Sequence, residues 1–176
     1  MVRRVVLVSG SPGAGKSTLA VPLADALGFA LLSKDTIKET LHDALQPPEG
    51  DLASSRRLGA AAMQLLWRLA GSCPDVVLEA NFLPGQPDTV ERLEALGGTL
   101  AEVYCACPPD EAARRYAVRG RSPGHHPVHV EKELPVESLA RYDRPVGAGE
   151  VITVDTKQPV DVAEVADRVR RALGVR

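Results

Sequence analysis

The sequence predicts an α/β protein in which a five-stranded parallel sheet carries helices on both faces. Three observations carry that prediction. Five short apolar runs alternate with segments of helical periodicity, a glycine-rich motif follows the first run directly, and acidic residues stand where later runs end.

The first run, Val5-Val6-Leu7-Val8, is a buried strand, and Gly10-Ser11-Pro12-Gly13-Ala14-Gly15-Lys16-Ser17-Thr18 after it completes the spacing G-x-x-x-x-G-K-[ST]. This is a P-loop. Its glycines let the backbone fold into a nest of inward N–H groups, and the next helix adds its free donors and positive dipole end. Phosphate therefore belongs at Gly10, Ser11, Gly13, Ala14, Gly15, Lys16, Ser17 and Thr18. Lys16 supplies a point charge for the β- and γ-phosphates, the Ser17 hydroxyl a magnesium ligand, and Thr18 faces the α-phosphate.

Leu19, Leu23, Ala26 and Leu27 mark a helix from Lys16 to Leu27, with Pro22 as an expected kink and Gly28 as a left-handed cap. Phe29 to Leu32 reads as the second strand, and Ile37, Leu41, Ala44 and Leu45 as the helix after it, so Asp35 stands at a strand's carboxyl end. The breakers in Gln46-Pro47-Pro48-Glu49-Gly50 make a loop, and Leu58 to Leu69 repeats at helical spacing up to Gly71. Asp75 to Glu79 has the unbroken apolar character of a strand covered on both faces, and its end carries Glu79 to the ligand crevice. Asp88 to Leu96 forms a short helix, Thr99 to Cys107 a strand, and Asp110 to Tyr116 the start of another helix. From Arg114 to His129 the chain turns basic and rich in breakers, which reads as a cationic lid. Val151 to Val154 is the last strand and Val160 to Leu173 the last helix.

A chain of 176 residues has the length of one domain, 1–176, with a substantial core. A net charge of −2 argues against broad binding to nucleic acid or anionic membrane, and no apolar run is long enough to span a bilayer, so the expected location is cytoplasmic. Three cysteines without C-x-x-C spacing are expected as buried reduced thiols.

Moving a γ-phosphoryl group needs a phosphate cradle, a metal, positive charge on the equatorial oxygens and an oriented nucleophile. The P-loop offers the first two. Glu79 is placed to orient magnesium's ligands or substrate, and Asp35 to accept an acceptor's hydroxyl proton, with an N-cap role for Asp35 as the alternative. Arg119 and Arg121, flanking Gly120, are the expected source of a guanidinium on the phosphoryl oxygens. His125, His126 and His129 read as substrate contacts or lid surface rather than a metal site, because Pro127 interrupts any helix that would align them.

Together these motifs resemble a family of small P-loop kinases that includes chloramphenicol phosphotransferase and the kinase domain of polynucleotide kinase. Gly10 to Thr18 is similar to its Walker A loop, Ser33-Lys34-Asp35 to the segment bearing a substrate-activating aspartate, and Leu78 to Phe82 to its Walker B strand end. Arg115, Arg119 and Arg121 resemble its arginine-rich lid, taken as residues 117–132, and Val154-Asp155-Thr156 with Pro159 resembles the loop beside the adenine. The resemblance implies a three-layer P-loop NTPase fold with strand order 2-3-1-4-5, ATP with magnesium, and transfer to a hydroxyl; Arg115, Asp155 and Thr156 join the nucleotide contacts. With three tyrosines, two phenylalanines and a mildly acidic balance, a groove that stacks bases is poorly supported, so a small hydroxylated molecule is the expected acceptor. A nucleic-acid 5′-hydroxyl kinase and a slowly hydrolysing ATP switch are the alternatives.

Overall fold

The computed structural model describes residues 2–175; Met1 and Arg176, the ends of the expected domain, lie outside the described residues. The chain runs β1 (Arg4–Ser9), α1 (Lys16–Leu27), β2 (Ala30–Ser33), α2 (Lys34–Leu45), α3 (Leu52–Ala70), β3 (Asp75–Glu79), α4 (Pro87–Leu96), β4 (Thr99–Ala106), α5 (Pro109–Gly120), α6 (Val136–Ala140), β5 (Glu150–Asp155) and α7 (Val162–Ala172). All five strands pair in parallel, in the order β2-β3-β1-β4-β5.

The period of two along the central strands explains the layers. Val6 and Val8 point to one face, where Val77, Val103, Leu19 and Leu23 of α1, and Val165 and Val169 of α7 close a core. Val5 and Leu7 point to the other, onto Val76, Leu78, Leu66 of α3 and Leu93 of α4. Strands with both faces covered need the unbroken apolar runs seen in β1 and β3. The outer strands β2 and β5 are less buried.

α1 has the expected bounds, contains Pro22 and ends at Gly28 in the left-handed conformation. Other boundaries differ from the sequence expectations. β2 starts at Ala30 rather than Phe29. Ser33, not Asp35, caps α2, its hydroxyl accepting from the Thr36 N–H; Asp35 is the second residue inside the helix, where a carboxylate suits the positive dipole end. α5 extends to Gly120, four residues beyond Tyr116. α6 has only five residues and no period to read. Among the cysteines Cys105 alone is buried, its thiol pushed up to about 12 by the loss of water; Cys73 and Cys107 are half-buried.

One polar group lies wholly inside. The Glu102 carboxylate of β4 is 0% exposed and accepts from the N–H groups of Val146 (2.8 Å), Gly147 (2.8 Å) and Ala148 (3.0 Å) and from the Ser9 hydroxyl. It latches the segment leading into β5 against the sheet, with each buried lone pair given a donor. The parallel order brings Ser9, Ser33, Glu79 and Asp155 to one carboxyl edge, and that edge is where the connections β1–α1, β2–α2 and β3–α4 converge.

Candidate active site

The loop from Gly10 to Gly15 leaves β1 with Gly10, Gly13 and Gly15 at positive φ. At Gly13 the requirement is steric as well, because a Cβ there would collide with the Ala112 carbonyl of α5. The Ala14 N–H bonds to the Ser11 carbonyl (3.1 Å), and Lys16 Nζ donates to the same oxygen (2.8 Å). Lys16 is buried, and the loss of water pulls its pKa down against the opposing pull of Glu79. The Ser11 hydroxyl is buried and has no hydrogen-bond partner among the described residues.

Glu79, 3% exposed at the end of β3, receives the Ser33 hydroxyl at 2.6 Å and the Ser17 hydroxyl at 3.3 Å. A glycine-built cradle, an ammonium at its mouth and an orphaned serine hydroxyl fit a phosphate chain. Ser17 and Glu79 fit magnesium, which binds through one or two protein oxygens and keeps the rest of its shell as water.

Asp35 stands in the first turn of α2, its carboxylate 3.2 Å from Lys34 Nζ. Burial raises its pKa, but Lys34, His129 and Lys16 outweigh that and hold the carboxyl below its ordinary range. Two cavities, of about 230 and 440 Å³, meet here, and Ser17, Asp35, Glu79, Arg119 and His129 border both. The smaller also reaches Lys16 and Asn81.

A third cavity, of about 330 Å³, opens on the far side of the P-loop between Gly15, Thr18, Arg115, Thr156, Pro159 and Val160. Arg115 Nη1 donates to the Thr156 carbonyl (3.0 Å) and Nε to Glu111 (2.6 Å), so α5 is tied to the turn after β5. Asp155 does not border that cavity: its exposed carboxylate accepts from the Lys157 N–H (2.9 Å) and shapes the turn.

The segment from Arg121 to Pro135 has no helix or strand, and residues 117–120 of the expected lid are the last turn of α5. It crosses back over the end of α5 at Gly120, where a Cβ would come within 2.5 Å of the Lys132 carbonyl. Its histidines lean on α2, with His126 against Asp43 (3.0 Å) and His129 against Glu39 (2.7 Å). The two arginines separate. Arg119, still helical, has its guanidinium 5.3 Å from the Tyr116 ring centre and borders the cavities at Asp35. Arg121 is past the helix end, exposed, ion-paired with Glu133 and away from both cavities.

A family model described as an AAA domain matches residues 5–145. The chain belongs to that family. An adenylate kinase of Nocardia farcinica is 33% identical to this chain over 190 residues, which take in 97% of this chain and 99% of that one. A crystal structure of a protein from Chloroflexus aurantiacus, described as a candidate kinase, matches with a TM-score of 0.84 and 29% identity over 98% of this chain and all of that one. The shikimate kinase of Bacteroides thetaiotaomicron shares the fold, with a TM-score of 0.60 at 17% identity over 99% of this chain and all of that one.

The fold also brings to the crevice residues to which the sequence reading gave no role of their own: Lys34 and Lys38 of α2, Ser55 of α3, Asn81 after β3 and Tyr116 of α5. Lys34 and Lys38 are spaced i, i+4, so one helix face was readable, yet lysines at that spacing ordinarily mark a solvated face. Lys38 is instead buried.

The split between the arginines makes a test. Arg119→Ala is expected to lower the kcat of ATP turnover on the order of a hundredfold with a smaller change in ATP affinity, because Arg119 lines the same cavity as Lys16, Ser17 and Asp35. Arg121→Ala is expected to stay near wild type. Steady-state kinetics on both variants checks it.

Proposed function

We propose that this chain is an ATP- and magnesium-dependent phosphotransferase that moves the γ-phosphoryl group to a hydroxyl of a small molecule. The observation that carries the reading is that a single crevice joins Lys16, Ser17, Asp35, Glu79 and Arg119. A protein that only binds ATP as a switch has no need of a carboxylate held ionised opposite its phosphate cradle.

The P-loop N–H groups and Lys16 hold the β- and γ-phosphates, and Thr18 with the Arg115–Thr156 side flanks the rest of the nucleotide. Magnesium, when bound at Ser17 and Glu79, supplies charge neutralisation on the phosphates. Asp35 accepts the proton of the acceptor hydroxyl as its oxygen bonds to the γ-phosphorus; the bond to the β-phosphate oxygen breaks and ADP leaves. Arg119 offsets the charge that develops on the equatorial oxygens, and the lid over the crevice keeps water from taking the acceptor's place. The finer likeness to chloramphenicol phosphotransferase rests on the motifs alone.

A second reading takes the acceptor atom to be a phosphate oxygen of a nucleoside monophosphate, and the Nocardia relative supports it. That oxygen is already ionised and needs no base. The test is ADP release from Mg·ATP with a panel of sugars, polyols, hydroxy acids and nucleoside monophosphates. A hydroxyl compound is expected to stimulate release well above the unstimulated rate; stimulation by nucleoside monophosphates alone would favour the second reading, and no stimulation by any acceptor would overturn both.

A further inference from the structure

Four cations border the smaller cavity: Lys16, Lys34, Lys38 and Arg119. Lys16 is bound into the P-loop and Lys34 is paired with Asp35. Lys38 is different. It is 7% exposed, its Nζ donates to the Ser55 hydroxyl (2.8 Å) and the Val128 carbonyl (3.3 Å), and no carboxylate lies within ion-pair distance of it among the described residues. An ammonium has three donors, and both of these partners are neutral.

Its neighbourhood opposes the charge further. Lys34 is one helical turn back on α2, and both side chains run beside Gly59 of α3. Burial, and then the charge of Lys34, pull the Lys38 pKa down, while Asp35, Glu131 and Glu39 pull it up from a distance. A role confined to tying α2 to α3 and to the lid would be met by a neutral donor, without the cost of burying a charge that lacks a counter-charge. The chain places no carboxylate in contact with it, so the counter-charge in contact is left for a group from outside the chain. The cavity it borders also holds Asp35, so a molecule whose hydroxyl lies at Asp35 is within reach of Lys38.

We propose that Lys38, held in place by Ser55 and flanked by Lys34, is an oxyanion subsite for the phosphoryl acceptor, so the acceptor is a hydroxy compound bearing a carboxylate or a phosphate ester rather than a neutral alcohol. This rests on the phosphotransferase reading for the word acceptor, but the subsite itself is testable without turnover.

The experiment has two parts on the full-length protein. In the first, P-loop sites are filled with Mg and a non-hydrolysable ATP analogue, and thermal melting is followed while malonate, for the carboxylate, or inorganic phosphate, for the phosphate ester, is added. At least one anion is expected to raise Tm in the wild type, with the rise lost in Lys38→Gln and kept in Lys38→Arg; equal shifts in wild type and Lys38→Gln, or none, overturn the subsite. In the second, ADP release is measured with matched acceptors that differ in charge: glycerol, glycerate and glycerol 3-phosphate, then glucose, gluconate and glucose 6-phosphate. An anionic member of one set is expected to win, and Lys38→Gln to raise its KM about ten- to a hundredfold, the loss of a charge-assisted hydrogen bond, with kcat and the KM for ATP changing less. Stimulation indifferent to charge would remove the subsite and leave the phosphotransferase standing. An anion-dependent Tm shift without stimulation by any acceptor would do the reverse.

Discussion

Asp35→Asn is expected to lower acceptor phosphorylation roughly 10²–10⁴-fold while leaving ATP binding and melting temperature close to wild type. The amide keeps the shape and part of the hydrogen bonding of the carboxylate but cannot take a proton. Because Ser33 caps α2, the substitution does not remove the helix cap, so stability and turnover separate cleanly. Loss of both together would point to a structural role instead, and full activity would remove the base assignment, with Glu79 the next carboxylate to test. The pH profile adds a signed expectation. Burial raises the Asp35 carboxyl, but Lys34, His129 and Lys16 hold it below its ordinary range of about 4, so the base is ionised at neutral pH. As pH falls, the acid limb from this group should appear only below that range, and Lys34→Met, which removes the adjoining charge, should move the limb upward.

The second large effect is at Lys16. Lys16→Ala is expected to cut phosphoryl transfer by about 10²–10³-fold or more, the usual consequence of removing a preorganised charge from developing phosphate charge in a dry site. Calorimetry with Mg·ATP should show weakened binding or, if the backbone nest alone retains the nucleotide, binding without transfer. Circular dichroism should remain that of the wild type, since the side chain bonds only to the Ser11 carbonyl within its own loop. Unchanged affinity together with unchanged turnover would remove phosphate binding from this loop.

What could be read in the sequence was what is local. The P-loop is contiguous, its glycines and lysine have fixed spacing, and the helix after it follows from leucine periodicity, so Gly10 to Thr18 could be assembled without knowledge of the rest. Glu79 was legible because an apolar strand ended in an acid, and parallel strands deliver such ends to one edge. Residues that depend on helix phase or chain crossing were not. Arg119 and Arg121 look equivalent beside Gly120, yet α5 stops between them; one side chain keeps the helical direction toward Asp35 and the other leaves it. Asp155 sits at a strand end just as Glu79 does, but it belongs to an outer strand and folds back onto its own turn. Lys38 meets Ser55 and the lid carbonyl of Val128 only after three distant segments converge, and no pattern within α2 announces the encounter.

The Glu102 latch bears on the irregular span from Arg121 to Pro135. Everything between β4 and β5 is one long excursion, and its return is pinned where Val146, Gly147 and Ala148 donate to that carboxylate, just as its outgoing helix is pinned where Arg115 meets Thr156. The span from Arg121 to Pro135 is thus held at two ends, one on α5 and one on the sheet. Under the proposed phosphotransferase reading, a shift of that span over the acceptor would leave the turn at Thr156 with its own ties to Arg115 and to Ala106 of β4.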